Sequence, residues 1–116
     1  LKIENVEHGK GAQLRERAFT FALAVVELHR NIYRREPELR EVSRQAMRAA
    51  GSIGANLEEA DAAQSRADFI SKCNIESRYW LRILTQTLKF DSPLIAESTE
   101  LIAILTTIVR KTKDRT

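Results

Sequence analysis

Apolar residues recur every three to four positions along almost the whole chain, the period of helices packed in a bundle. The pattern falls into four stretches. The first predicts a helix over about 12–34, with Leu14, Ala18, Phe21, Val25, Leu28 and Ile32 as its core seam. A second set, Phe19, Ala22, Val26, His29 and Tyr33, lies beside it and makes a face wider than one partner helix needs. Two readings stand: a helix packed between two neighbours of one bundle, or a helix whose second stripe buries against another subunit. Pro37 cannot continue this helix but suits the first turn of the next. A second helix is expected over about 37–62, with Leu39, Val42, Ala46, Ala49, Ile53, Asn56 and Ala60 on a strict 3-4-3-4 seam. Ser65, with Asp68 three residues on, reads as a capping-box variant opening a third helix over about 66–90. Its apolar side holds Phe69, Cys73, Trp80, Ile83, Leu84 and Leu88. Ser92 then caps, and Pro93 starts, a fourth helix over about 93–111. Leu94, Leu101, Leu105 and Ile108 form one of its seams; Ile95, Ile102 and Val109 form another. Residues 1–10 show no sustained period and read as an extended or frayed arm. Four amphipathic helices joined by short links predict one all-α domain, an up-and-down antiparallel four-helix bundle.

The second helix breaks three local rules. Gly51 and Gly54 lie in its interior, each costing about 0.5–1 kcal/mol relative to alanine. Either the backbone comes close to another there, or the helix bends. Asn56 puts an amide on the seam, a device that can set register or assembly state. Ser52 and Asn56, with Phe19, Val26 and Tyr33 of the first helix, are therefore the candidate oligomer and register residues. Glu58, Glu59 and Asp61 sit at the end where the helix dipole disfavours anions. Such violations mark sites kept for something other than stability, although a kinked helix with a solvated acidic tip reads equally well.

Composition changes the picture little. Of the 116 residues, 43% are hydrophobic and 30% charged, an ordinary globular balance sufficient for one core. The net charge is +3, a weak pointer to a polyanion, and arginine dominates the basic set. Arg40, Arg44 and Arg48 run at i, i+4, i+8, and Arg78 and Arg82 form a second basic pair beside Tyr79 and Trp80, an arrangement that binds nucleic acid by charge and stacking. Trp80 also reads as a core anchor whose indole N–H finds a partner. In that case only the charge of the pair is useful. The basic tail from Arg110 to Arg115 complements its helix dipole without any ligand. The single cysteine, Cys73, excludes an internal disulfide, fits a reducing cytoplasmic compartment, and reads as a small buried hydrophobe. No apolar run is long enough to span a bilayer. No secretory leader is evident, and a chain beginning at Leu1 leaves room for residues ahead of it.

Chemistry is not expected. His8 and His29 are the only histidines, and neither belongs to a metal-ligand spacing. Gly51-Ser52-Ile53-Gly54 lacks the ending of a phosphate loop, and Ser52 has no histidine in its stretch to make a triad. No catalytic residue, metal or cofactor is assigned.

The stretch RQAMRAAGSIGANLEEADAAQSRADFISKCN, Arg44 to Asn74, closely resembles the four-helix-bundle family of proteins encoded in intervening sequences of 23S rRNA genes. Arg44, Gln45, Arg48, Ser52, Ile53, Ala55, Asn56, Glu59, Ala60, Phe69, Ile70, Tyr79, Trp80 and Leu81 carry the match. The resemblance implies a bacterial up-and-down bundle that assembles into rings, with homopentamers expected, and no enzyme activity. A related branch is the accessory protein of diversity-generating retroelements, a basic pentamer that binds a reverse transcriptase and nucleic acid. This chain departs at Ile75 to Tyr79, where relatives carry about six more residues. About 600° of helical turn is thereby missing, which places Phe69 and Trp80 on different sides of the helix. The expected function is a non-enzymatic oligomeric adaptor that binds RNA, DNA or a ribonucleoprotein through Arg40, Arg44, Arg48, Arg78 and Arg82. The alternative is a protein-interaction scaffold whose arginines are tied to Glu41, Glu59 or a neighbouring subunit.

Overall fold

The structure, a computed structural model, describes residues 8–58 and 64–114, with side-chain surroundings for 12–58 and 67–107. The described residues form four α-helices: α1 (His8–Arg35), α2 (Arg40–Glu58), α3 (Gln64–Leu88) and α4 (Pro93–Asp114). Among the described residues there is no strand. The fold is the expected all-α bundle, 47 × 20 × 19 Å.

The helix boundaries follow local chemistry. α1 closes with Arg34 and Arg35 in its last turn, where cations complement the dipole. Glu36, forced out of the helical region by the following proline, has φ −132°. Pro37–Leu39 then form a 3-10 turn that leads into α2, so the second helix begins as two pieces. α3 begins at Gln64, which puts Ser65 inside the helix instead of at its cap. Its last helical residue, Leu88, is followed by Lys89, whose φ of 56° is left-handed. Phe90 N donates to Thr85 O at 3.0 Å, the long-range bond of a Schellman ending. Ser92 caps α4 as expected, its Oγ accepting from Leu94 N at 3.2 Å. The first helix starts earlier than its apolar pattern, at His8, and the fourth runs on to Asp114. The rest of the proposed arm (1–7) and the acidic end of the second helix beyond Glu58 lie outside the described residues.

Consecutive helices pack along their lengths, α1 on α2, α2 on α3, α3 on α4. The closing side of the square, α1 against α4, is sparser. It is bridged by a fork: Arg17 Nε donates to Glu97 Oε2 at 3.0 Å, and Nη2 to Glu97 Oε1 at 2.7 Å and Glu100 Oε2 at 2.8 Å. These carboxylates, Glu97 first, raise the guanidinium above its already high ordinary value. α1 and α3 therefore occupy diagonal corners.

The core draws on all four helices: Phe21 and Val25, Ile53 and Leu57, Ile70, Leu81 and Leu84, Leu101 and Leu105. The first helix keeps its expected seam, with only Leu28 less than fully buried. The second and third are rotated from theirs. The buried track runs from Leu39 of the 3-10 turn through Ser43, Ala46, Ala50, Ile53 and Leu57 of α2, with Ala49 beside it. Val42 and Asn56 are only half-buried. On α3 it is Ala67, Ile70, Asn74, Ser77, Leu81 and Leu84. Phe69 is 51% exposed and Trp80 half-buried. α3 is continuous, so Phe69 and Trp80, three turns apart, share a side instead of lying on opposite ones. Hydroxyls and an amide occupy core positions once their hydrogen bonds are made inside the bundle.

The glycines of α2 do not mark a tight backbone crossing. A Cβ at Gly51 would meet nothing within 4 Å, and one at Gly54 would reach Ala18 at an ordinary 3.9 Å. Gly51→Ala is therefore expected to raise the unfolding free energy by about 0.5–1 kcal/mol, through helix propensity alone. Urea denaturation checks this, and a loss of stability would show that Gly51 serves a close contact absent from the isolated chain.

Candidate oligomer and nucleic-acid surfaces

One face of α1 is finished inside the bundle and the other is not. Phe19, Leu23, Val26 and Tyr33 are 55%, 54%, 38% and 52% exposed. Their i, i+4, i+7, i+14 spacing makes a coiled-coil-like stripe along the helix. Of the second set expected on this helix, Phe19, Val26 and Tyr33 are outward, while Ala22 and His29 are half-buried. Leu23 belongs to the stripe and was missed by the pattern. His29 is held by α2: its Nδ1 lies 2.6 Å from Ser43 Oγ, which also donates to Arg40 O at 3.2 Å. Ser43 is buried, so this His–Ser pair ties α1 to α2.

The five candidate arginines are not equivalent. Arg40 lies over the Tyr33 ring, 4.2 Å from its centroid, and donates through Nε to Tyr33 O at 2.7 Å. Arg44 forks onto Glu41, Nε to Oε2 at 3.0 Å and Nη2 to Oε1 at 2.6 Å. Its guanidinium, with the Gln45 amide, holds the Glu41 carboxyl below the usual range, and Glu41 in turn raises Arg44. Arg48 donates to Gln45 Oε1 at 3.0 Å and to Glu76 on α3. Glu76 Oε2 also accepts the Trp80 indole N–H at 3.1 Å, the expected partner of that tryptophan. Arg78 reaches Thr99 at 3.5 Å. Arg82 makes no ion pair among the described residues and opens onto a polar cleft of about 540 Å³ at the α3–α4 turn, shared with Gln86, Lys89 and Asp91. The bases thus do not form one continuous stripe. Arg40, Arg44 and Arg48 are engaged within the chain, while Arg78 and Arg82 lie toward α4. Glu59, the other proposed arginine partner, lies outside the described residues.

The register residues divide the same way. Ser52 Oγ donates to Arg48 O at 3.0 Å and Asn56 Nδ2 to Ser52 O at 2.7 Å, both bonds along α2 itself. The buried amide is Asn74 of α3, fully enclosed with Ser77 and Ser98. Asn74 Nδ2 donates to Ser98 O at 3.3 Å, Ser98 Oγ donates back to Asn74 Oδ1 at 3.0 Å, and Ser77 Oγ donates to Asn74 O at 2.8 Å. This network ties α3 to α4. The only available sequence signal was the polar 74/77 pair continuing the heptad spacing between Ile70 and Leu81. Cys73 beside it is buried, and burial, with Glu76 nearby, pushes its thiol up despite the opposing Arg48. A thiol held protonated is a poor nucleophile. Among the described residues no cluster could hold a metal ion, and no helix is long and apolar enough to cross a membrane.

Residues 10–111 match the 23S rRNA-intervening sequence protein family. The chain belongs to that family. A solved structure agrees: a protein of unknown function from the S23 ribosomal protein family of Bacteroides thetaiotaomicron VPI-5482 superposes with a TM-score of 0.74 at 26% identity. The similarity covers 83% of this chain and 97% of that one. No curated protein matches. Family membership accounts for the bundle and for the Arg44–Asn74 motif, much of which proves structural here: Ile53 and Ile70 fill the core, and Arg48 locks α2 to α3 through Glu76.

Proposed function

We propose that this family member is a non-enzymatic, self-assembling cytoplasmic adaptor, a homopentamer as the family resemblance implies, that binds RNA, DNA or a ribonucleoprotein. The exposed α1 stripe carries the reading. Four large apolar side chains at heptad spacing on a helix already anchored in a core are the mark of a helix built to meet another chain. Assembly also strengthens the electrostatics, since five copies at +3 carry +15. On α3, Arg82 is the leading phosphate contact and Arg78 the next. Arg44 stays available, because an exposed pair such as Arg44–Glu41 holds its partners by only about 0–1 kcal/mol. A reverse transcriptase is a candidate ribonucleoprotein partner on the family resemblance alone.

A protein scaffold with no nucleic-acid role is the second reading. It is favoured by the internal engagement of Arg40, Arg44 and Arg48. Fluorescence anisotropy against a structured RNA and a matched DNA duplex over a salt series, with mass measured in the same buffers, separates the two. The adaptor reading expects an oligomer whose binding falls steeply with salt and weakens in Arg82→Ala more than in Arg48→Ala. A stable oligomer that binds neither polymer at low salt selects the scaffold.

A further inference from the structure

The turn between α3 and α4 opens into a cleft of about 540 Å³, within the roughly 300–1,000 Å³ of small-ligand sites. Arg82, Gln86, Lys89 and Asp91 line it with polar ends, and Phe90 and Ile95 supply an apolar wall. Among the described residues, none of those four polar side chains has a hydrogen-bond or ion-pair partner. That sets them apart from Arg17, Arg40, Arg44 and Arg48, each engaged by the chain itself. The local backbone holds the group in place. Phe90 N donates to Thr85 O at 3.0 Å, and Lys89 keeps its left-handed φ of 56°. Glycine is the usual occupant of such a position, since it adopts the conformation without strain. A lysine there costs stability and adds a cation to the cleft. We infer that the cleft takes one unpaired ribonucleotide: its phosphate on Arg82 and Lys89, the ribose hydroxyl that DNA lacks on the Asp91 carboxylate, and its base against Phe90.

Each part of that ligand answers one part of the cleft. Two cations against one carboxylate leave the cleft net positive, which favours a phosphate. Arg82 presents a planar fork to phosphate oxygens, and Lys89 a point charge. Ser92 Oγ already accepts from Leu94 N at 3.2 Å, so the start of α4 is capped and the two cations hold the anion. The carboxylate acts in the opposite sense. Asp91 repels a phosphate but accepts from a hydroxyl, so it orients the nucleotide and favours ribose over deoxyribose. Phe90, half-buried beside Ile95, offers an apolar surface on which any base can stack. A base paired inside a duplex keeps its faces against its neighbours and does not reach that surface. Arg78 lies one helical turn before Arg82 and reaches Thr99 of α4 at 3.5 Å. It places a further cation along the line that the next phosphate of a strand would follow.

The inference rests on the nucleic-acid binding in the proposed function and names its ligand class, and the test separates the two. Fluorescence anisotropy compares a labelled single-stranded oligoadenylate with its deoxy counterpart and with a DNA duplex, and unlabelled adenosine monophosphate serves as competitor. The ribose oligomer is expected to bind more tightly than the deoxy one. Arg82→Ala and Lys89→Gly are each expected to weaken it about tenfold, the size of one charge-assisted bond lost. Lys89→Gly is also expected to raise the urea midpoint, because glycine relieves the left-handed strain, so its loss of binding is not a loss of fold. Asp91→Ala is expected to bring the two oligomers to one affinity. A monophosphate that competes as well as the oligomer identifies a free nucleotide as the ligand's source, and much weaker competition identifies a strand; both uphold the cleft. Full binding retained by Arg82→Ala and Lys89→Gly, or equal wild-type affinity for the two oligomers, overturns the cleft and leaves the adaptor reading standing. A chain that binds neither oligomer nor duplex at low salt overturns both.

Discussion

Phe21→Ala is expected to lower the unfolding free energy by about 3–5 kcal/mol, a large share of the roughly 5–15 kcal/mol that holds a domain together. The phenyl ring is 2% exposed and lies in a core fed by all four helices, so its removal leaves a cavity that no single side chain can refill. Phe19, two positions away, is 55% exposed. Phe19→Ala is expected to change monomer stability by less than about 0.5 kcal/mol and to act on assembly instead. Urea titrations at several protein concentrations separate these effects. The loss at Phe21 persists under dilution, whereas any loss at Phe19 fades as the oligomer dissociates. Equal losses at both positions at high dilution would refute the assignment of Phe19 to an outward stripe.

The second large effect is expected at Asn74. Asn74→Ala removes the acceptor of the Ser98 hydroxyl and the donor to the Ser98 carbonyl in a place without water access. Each buried group left unpaired costs about 1–3 kcal/mol, so a loss of about 2–4 kcal/mol is expected for the substitution. Ser98→Ala added to it should cost less than it does alone, since the hydroxyl it deletes has already lost its partner. A double-mutant cycle reads that coupling, expected at about 0.5–2 kcal/mol. Strict additivity would show that the two side chains do not act as a unit. Among the described residues no buried side-chain polar atom lacks a partner, so neither deletion can be absorbed by an existing vacancy.

The two substitutions also show how far the pattern could be read. Hydrophobic period identified the core side of α1, because that side is marked by large apolar residues such as Phe21 and Val25. On α3 the same method selected a flank. Ser71, Asn74 and Ser77 look like a solvent face, and Phe69 looks like core, yet their burial is reversed. Polarity predicts exposure only for groups that nothing but water can satisfy, and Asn74 and Ser77 are satisfied by the bundle itself. Asn56 was similarly the visible amide, while Asn74 was the enclosed one.

The candidate surfaces divide along the same line. The second stripe on α1 and the arginine positions were legible, since both are properties of one helix. Their chemical state was not. Arg48 meets Glu76 across 28 residues of chain, and Arg17 meets Glu97 and Glu100 across about 80. No local spacing encodes such pairs, because they exist only after helices distant in sequence are laid side by side. By itself, the sequence determined the number of helices, their turns at Pro37 and Pro93, the α1 core and the family, all set by local propensity and short-range period. The tertiary structure alone decided which face of α2 and α3 turns inward, which arginines are already engaged, and that the apolar stripe on α1 is left outside the core. Those outcomes depend on packing and hydrogen bonding between helices, where one polar partner can outweigh the hydrophobicity of a whole turn.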